Sequence, residues 1–119
     1  MPYRFVANPG YAEVQLFGLI DRFEPLPPEE WSVVLLTKRL LYNYDDVEKF
    51  GIDPWHLIES TKRLAALGIV FAACAPQPSL FGINRQMAQL SGTEGELVRV
   101  FKDRASAVAW LLHGSETPE

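Results

Sequence analysis

Asp45, Asp46, Glu48, Asp53 and His56 crowd one short stretch of the chain, and their side chains are the ones most able to do chemistry. Carboxylates and imidazole bind divalent cations, and hard cations take several oxygens at once. The spacing lacks the Asp-x-Asp-x-Asp-Gly order of a calcium loop. The residues support an acidic, solvated loop from Asp45 to Gly51 instead. With Asp53 and Trp55 it forms a candidate contact face for another protein. Trp55 itself reads first as a lid over the sheet end and second as a partly exposed anchor for a partner.

Cys74 is the single thiol. A catalytic thiolate needs a base or an electropositive neighbour, with access to solvent. Cys74 sits among Ala72, Ala73 and Ala75, as a small packing residue would. His113 stands in the last turn of a helix, where the carbonyl end of the dipole accounts for it. There is no Gly-x-Ser-x-Gly elbow, no Gly-x-x-x-x-Gly-Lys and no Gly-x-Gly-x-x-Gly. The expectation is a protein that is not an enzyme and needs no cofactor and no metal.

Composition narrows the classes further. The chain has 119 residues, 48% of them apolar, which suits one domain with a proper core. Fifteen acidic and 11 basic residues give a net charge of −4. A mildly acidic surface repels phosphate backbones, so nucleic acid is not an expected partner. The longest apolar run, Ile69 to Ala75, is far short of the ~20 residues of a membrane helix. Asn8-Pro9-Gly10 interrupts any leader-like stretch, and one cysteine fits a reducing compartment. A soluble, cytoplasmic protein is expected.

The elements that must position these residues follow from local pattern. Tyr3–Ala7 and Tyr11–Ile20 flank the Asn8-Pro9-Gly10 turn and predict a hairpin. Ala12, Val14 and Leu16 alternate with Glu13 and Gln15, the period of a half-buried strand with its acids and amides outward. Phe23-Glu24-Pro25-Leu26-Pro27-Pro28 is a stiff connector barred from a sheet interior, because proline has no amide donor. Glu29–Thr37 is ambiguous between helix and strand. Glu29 and Glu30 behind Pro28 favour a short helix, ahead of a strand at Leu40–Tyr44.

Past the acidic loop, Asp53 and Pro54 announce a helix, and Ile58, Thr61, Leu64 and Ala65 continue it to a left-handed stop at Gly68. Ile69–Cys74 is apolar throughout, as a strand covered on both faces must be. Leu80, Ile83, Asn84, Met87 and Leu90 mark a third helix, ended by Gly92 and Gly95. Leu97–Phe101 is a last strand. Lys102-Asp103-Arg104 breaks it before a helix from Ala105 to Leu112, closed by His113-Gly114, with Asp103 as N-cap. Residues 115–119 read as a flexible tail. The order β-β-α-β-α-β-α-β-α predicts an α/β fold: one domain over 1–114, with a mixed, mostly parallel sheet, an N-terminal antiparallel hairpin and about four helices.

That order, with Ile69-Val70-Phe71-Ala72, Leu80-Phe81-Gly82-Ile83-Asn84-Arg85, Val98 to Asp103 and Ala107-Val108-Ala109-Trp110-Leu111, resembles the STAS fold of anti-sigma-factor antagonists and sulfate-transporter cytoplasmic domains. The nearer likeness is to stand-alone SpoIIAA-like proteins. The resemblance runs mainly over residues 69–112. It implies a regulatory, protein-binding module that acts by partner switching, in which a Ser or Thr at the start of the helix after the third strand is phosphorylated. The corresponding stretch, Phe50-Gly51-Ile52-Asp53-Pro54-Trp55, carries no hydroxyl. Ser60 and Thr61 lie two turns further in.

A second expectation is a small hydrophobic ligand, as in related CRAL-TRIO-type folds that hold lipids between sheet and helices. In a parallel sheet the crevice lies beyond the strands' carboxyl ends. Tyr44, Pro76, Leu80, Phe81 and Lys102 are the candidates there. An edge strand on the hairpin would also allow a symmetric homodimer.

Overall fold

A computed structural model describes residues 2–90 and 97–114, with the backbone alone for Met87 and Leu90. Gly92, Gly95 and the expected tail at 115–119 lie outside the described residues. The strands are β1 (Tyr3–Asn8), β2 (Tyr11–Ile20), β3 (Arg39–Phe50), β4 (Val70–Cys74) and β5 (Val98–Phe101). The helices are α1 (Pro28–Thr37), α2 (Pro54–Ala66), α3 (Pro78–Leu90) and α4 (Arg104–His113).

The five strands lie in sequence order across one sheet. β1 and β2 are antiparallel, and every later pairing is parallel. The hairpin turns at Pro9-Gly10, where Gly10 has φ +85°. A Cβ there would come within 3.1 Å of Leu112 Cδ2, so this turn needs glycine for both conformation and space.

Helix starts follow local chemistry. α1, α2 and α3 each begin on a proline, whose missing amide is one that a first turn leaves unpaired anyway. Asp53 accepts from the Trp55 amide at 2.8 Å, and Asp103 accepts from the Ser106 amide at 2.8 Å. Gly68 and Gly114 take left-handed conformations just after their helices. The ambiguous segment at 29–37 is helical.

The acidic stretch departs from expectation: Asp45 to Phe50 is strand, not loop. β2 runs on to Ile20 and supplies partners for Asp46, Val47, Lys49 and Phe50. Gln15 pairs Asn43 while Phe17 pairs Asp46, and Gly18 pairs Val47 while Leu19 pairs Lys49. At each shift β3 carries one residue more than β2, as in a bulge. The bulges break the two-residue period, which is why charged residues stand exposed around buried Val47.

Side chains alternate across the sheet into two cores. Ala12, Val14, Leu40, Tyr44, Phe71, Ala73 and Val98 share one cluster with Val34 of α1, Leu57 and Ile58 of α2, and Leu80 and Ala88 of α3. Tyr11, Leu41, Ala72, Cys74 and Phe101 form the other with Ala107, Trp110 and Leu111 of α4. Three helices thus cover one face, and α4 covers the other. No helix among the described residues is long and apolar enough to cross a membrane.

Candidate functional site

A cavity of about 400 Å³ lies on the three-helix face. Its floor is the sheet: Leu40, Tyr42, Tyr44, Phe71, Ala73, Val98 and Val100. α2 walls it with Leu57, Thr61 and Leu64, and α3 with Asn84 and Ala88. The proline connector closes a third side with Phe23, Pro25 and Leu26, beside Trp31 of α1. The hollow has a simple local cause. Ala73 and Ala88 put methyl groups where longer side chains would meet, and the connector cannot pair with the sheet, so it crosses the face instead.

Aromatic rings line this hollow. Phe23 meets Tyr42 edge-on at 5.4 Å between centroids, and Tyr42 meets Phe71 edge-on at 5.1 Å. Tyr44 packs edge-on against Phe50 at 5.6 Å. Burial pushes the Tyr42 and Tyr44 phenols well up, so both are neutral near pH 7. Polar side chains join the lining: Glu24 of the connector, paired with Arg22 at 3.4 Å, and a row of His56, Ser60 and Arg63 on α2. These three stand at i, i+4 and i+7, one side of a helix. The Thr61 hydroxyl donates to Leu57 O at 2.8 Å, and Asn84 Nδ2 donates to Leu80 O at 2.9 Å.

The other face, under α4, is centred on Glu13. This carboxylate is fully buried, not turned to solvent as strand alternation suggests, because α4 covers the face that Tyr11, Glu13 and Gln15 share. Arg104 grips it with Nη2 to Oε1 at 2.7 Å and Nε to Oε2 at 3.1 Å. Asn43 Nδ2 donates to Oε2 at 3.1 Å, and Gln15 Nε2 does so at 3.3 Å. Arg104 Nη2 also donates to the Tyr11 hydroxyl at 2.9 Å. Burial pushes the Glu13 carboxyl up, but the Arg104 and Asn43 hydrogen bonds and the Arg104 charge outweigh it and hold it below its ordinary value.

Cys74 lies nearby and donates its thiol to Asp45 Oδ1 at 3.3 Å. Burial, then that hydrogen bond and the Asp45 charge, push the thiol up to about 12. It is a neutral packing group, without the thiolate that nucleophilic work requires.

The residues singled out from sequence separate into three groups. Asp45, Asp46 and Glu48 project from the bulged half of β3, and Asp53 caps α2. No three His, Cys, Asp or Glu side chains among the described residues come together as a metal site. Trp55 is 70% exposed, so it is no lid.

Of the crevice candidates, Tyr44 alone lines the cavity. Leu80 is core, and Pro76 is exposed. Phe81 and Lys102 meet each other, with the ammonium 5.2 Å from the ring centroid.

Sequence reasoning passed over the Phe23–Leu26 wall and the α2 row. The i, i+4, i+7 spacing of His56, Ser60 and Arg63 was the available sign of the row. For Glu13, the sign was a polar Tyr11-Glu13-Gln15 row in register with Asn43.

These features define a mixed α/β sheet protein with a largely apolar pocket, open to solvent at its rim, on one face. No protein-family model matches the chain, and neither does any curated protein.

Proposed function

We propose that the chain is a non-enzymatic, STAS-like binding module whose ligand is a small, mainly apolar molecule held between the sheet and α2 and α3. The cavity of about 400 Å³ carries this reading. Close-packed interiors leave few voids larger than a water molecule, and a pocket of a few hundred Å³ with apolar walls and a few polar groups is the common form of a ligand site. The STAS-like part draws support from the element order and the one antiparallel edge of an otherwise parallel sheet. A reducing, cytoplasmic setting fits the single buried thiol.

Native mass spectrometry of freshly purified protein, followed by thermal-shift titration with decan-1-ol, tests the reading. The expected result is a retained ligand or a rise in melting temperature, lost in Ala73→Leu, which fills the floor. A bare mass together with no shift from the alcohol overturns it.

A second reading, recognition of a protein partner, is favoured by Trp55, a large aromatic left in solvent beside Asp53. Asp46 and Glu48, exposed on β3, would add acidic contacts to it. For a purified partner, Trp55→Ser and Asp46→Lys are expected to abolish binding. Unchanged binding in both variants removes this face.

A further inference from the structure

We infer that the ligand of the cavity is an amphipathic anion, a carboxylate on a chain of medium length, with its head at Arg63 and its apolar body along the sheet. The inference rests on the cavity reading above and adds the chemical class of the ligand.

Three observations carry it. First, Arg63 lines the cavity, and among the described residues its guanidinium has no hydrogen-bond or ion-pair partner. Arg104 shows what this chain does with a guanidinium that serves structure: its fork is closed on Glu13. A planar fork of donors left open beside an apolar hollow is suited to a carboxylate, which it can hold through two parallel bonds.

Second, the charges of the rim are separated along α2. This helix links parallel β3 to β4, so it runs back against the strands. His56 therefore lies toward the end where β3 finishes, and Arg63 toward the end where β4 begins. Seven residues of helix place them about 10 Å apart along the axis. Glu24, the one carboxylate of the lining among the described residues, follows Phe23, whose ring is 6.3 Å from that of His56. The permanent cation thus stands at the end away from the acid. An anionic head is attracted to the Arg63 end, while Glu24 at the other end is already paired with Arg22 at 3.4 Å.

Third, size agrees. A volume of about 400 Å³ takes roughly a dozen water-sized groups, which is about the size of decanoate. Phe71, Val98 and Val100 offer its chain an apolar floor.

The test compares decanoate with decan-1-ol, which share a chain and differ in the head. Calorimetric titrations near pH 7, where the acid is ionised, use the whole chain as wild type, Arg63→Gln and Lys62→Gln. Arg63 is exposed, so its replacement leaves the core intact, and a circular-dichroism melt checks this.

Wild type is expected to bind decanoate more tightly than the alcohol. Arg63→Gln is expected to weaken decanoate by about tenfold and the alcohol by less than about twofold. Lys62→Gln, an exposed cation of α2 outside the lining, is expected to change neither. Equal affinity of wild type for both probes overturns the anion inference and leaves the cavity reading standing. So does a loss of decanoate that tracks Lys62 as much as Arg63, or an Arg63→Gln that weakens both probes alike. Binding of neither probe overturns both.

Discussion

The two faces of this sheet bury similar apolar rows by opposite means. On the α4 side a single helix suffices, because Trp110 packs on Phe101 with ring centroids 5.8 Å apart and Arg104 seals Glu13 in its place. On the other side three helices and a proline strap surround the sheet and leave a hollow of about 400 Å³. One helix and a charge-assisted network cover one side, whereas three helices and the strap leave room above Ala73 on the other. The lesson is that the amount of cover does not decide how full a layer is. The side chains at the contact decide it.

The largest expected effect breaks the α4 face. Arg104→Met leaves the Glu13 carboxylate buried without its counter-charge. Severing a fully buried pair costs about 3–5 kcal/mol, but the Arg104 side chain is 43% exposed and solvent screens part of the interaction, so we expect about 2–3 kcal/mol in urea unfolding. Adding Glu13→Gln should restore part of the loss.

The same network sets a pH dependence. Because the folded Glu13 carboxyl lies below its ordinary value, its contribution is fully present above the unfolded value of about 4.3 and is lost as pH falls through the lower folded value. Stability of Arg104→Met should fall less steeply over that acid range.

A neighbouring pair of substitutions sharpens the contrast. Ala72 and Ala73 are both fully buried but point to opposite faces. Ala72→Leu must force its extra carbons under α4 and should lose about 1–3 kcal/mol. Ala73→Leu enters the cavity and should gain about 0.5–1 kcal/mol. If both lose alike in chemical unfolding, the hollow is not a usable space.

The smallest effect concerns the caps. Asp103 accepts from both the amide and the hydroxyl of Ser106, while Asp53 accepts from one amide. Asp103→Ala should cost about 1 kcal/mol and Asp53→Ala about half that in melting experiments.

Legibility followed the range of the interactions. Asp53-Pro54, Asp103 and Gly114 mark helix ends through bonds a few residues long, and all stand where their local chemistry puts them. The strand at Val70–Cys74 was legible because a wholly apolar run leaves few other homes. The acidic half of β3 was not, since its strand character comes from Ile20 and its neighbours across the ladder, and bulges erase the alternation. Glu13 was misread for a related reason. A two-residue period tells which residues share a face, and both faces of this sheet are covered.

The site followed the same division. Tyr44 was visible as a wall, because its strand and its aromatic character are local facts. Phe23 was not, because a connector without amide donors shows only where it cannot go.

What the amino-acid order settled alone was the run of elements and their ends, since capping, proline geometry and hydrophobic period act within a turn or two of chain. Folding in three dimensions decided that Arg104 meets Glu13 from far along the chain, and that space is left above Ala73. Both depend on which layers meet, and a void is a property of surfaces brought together, carried by no residue on its own.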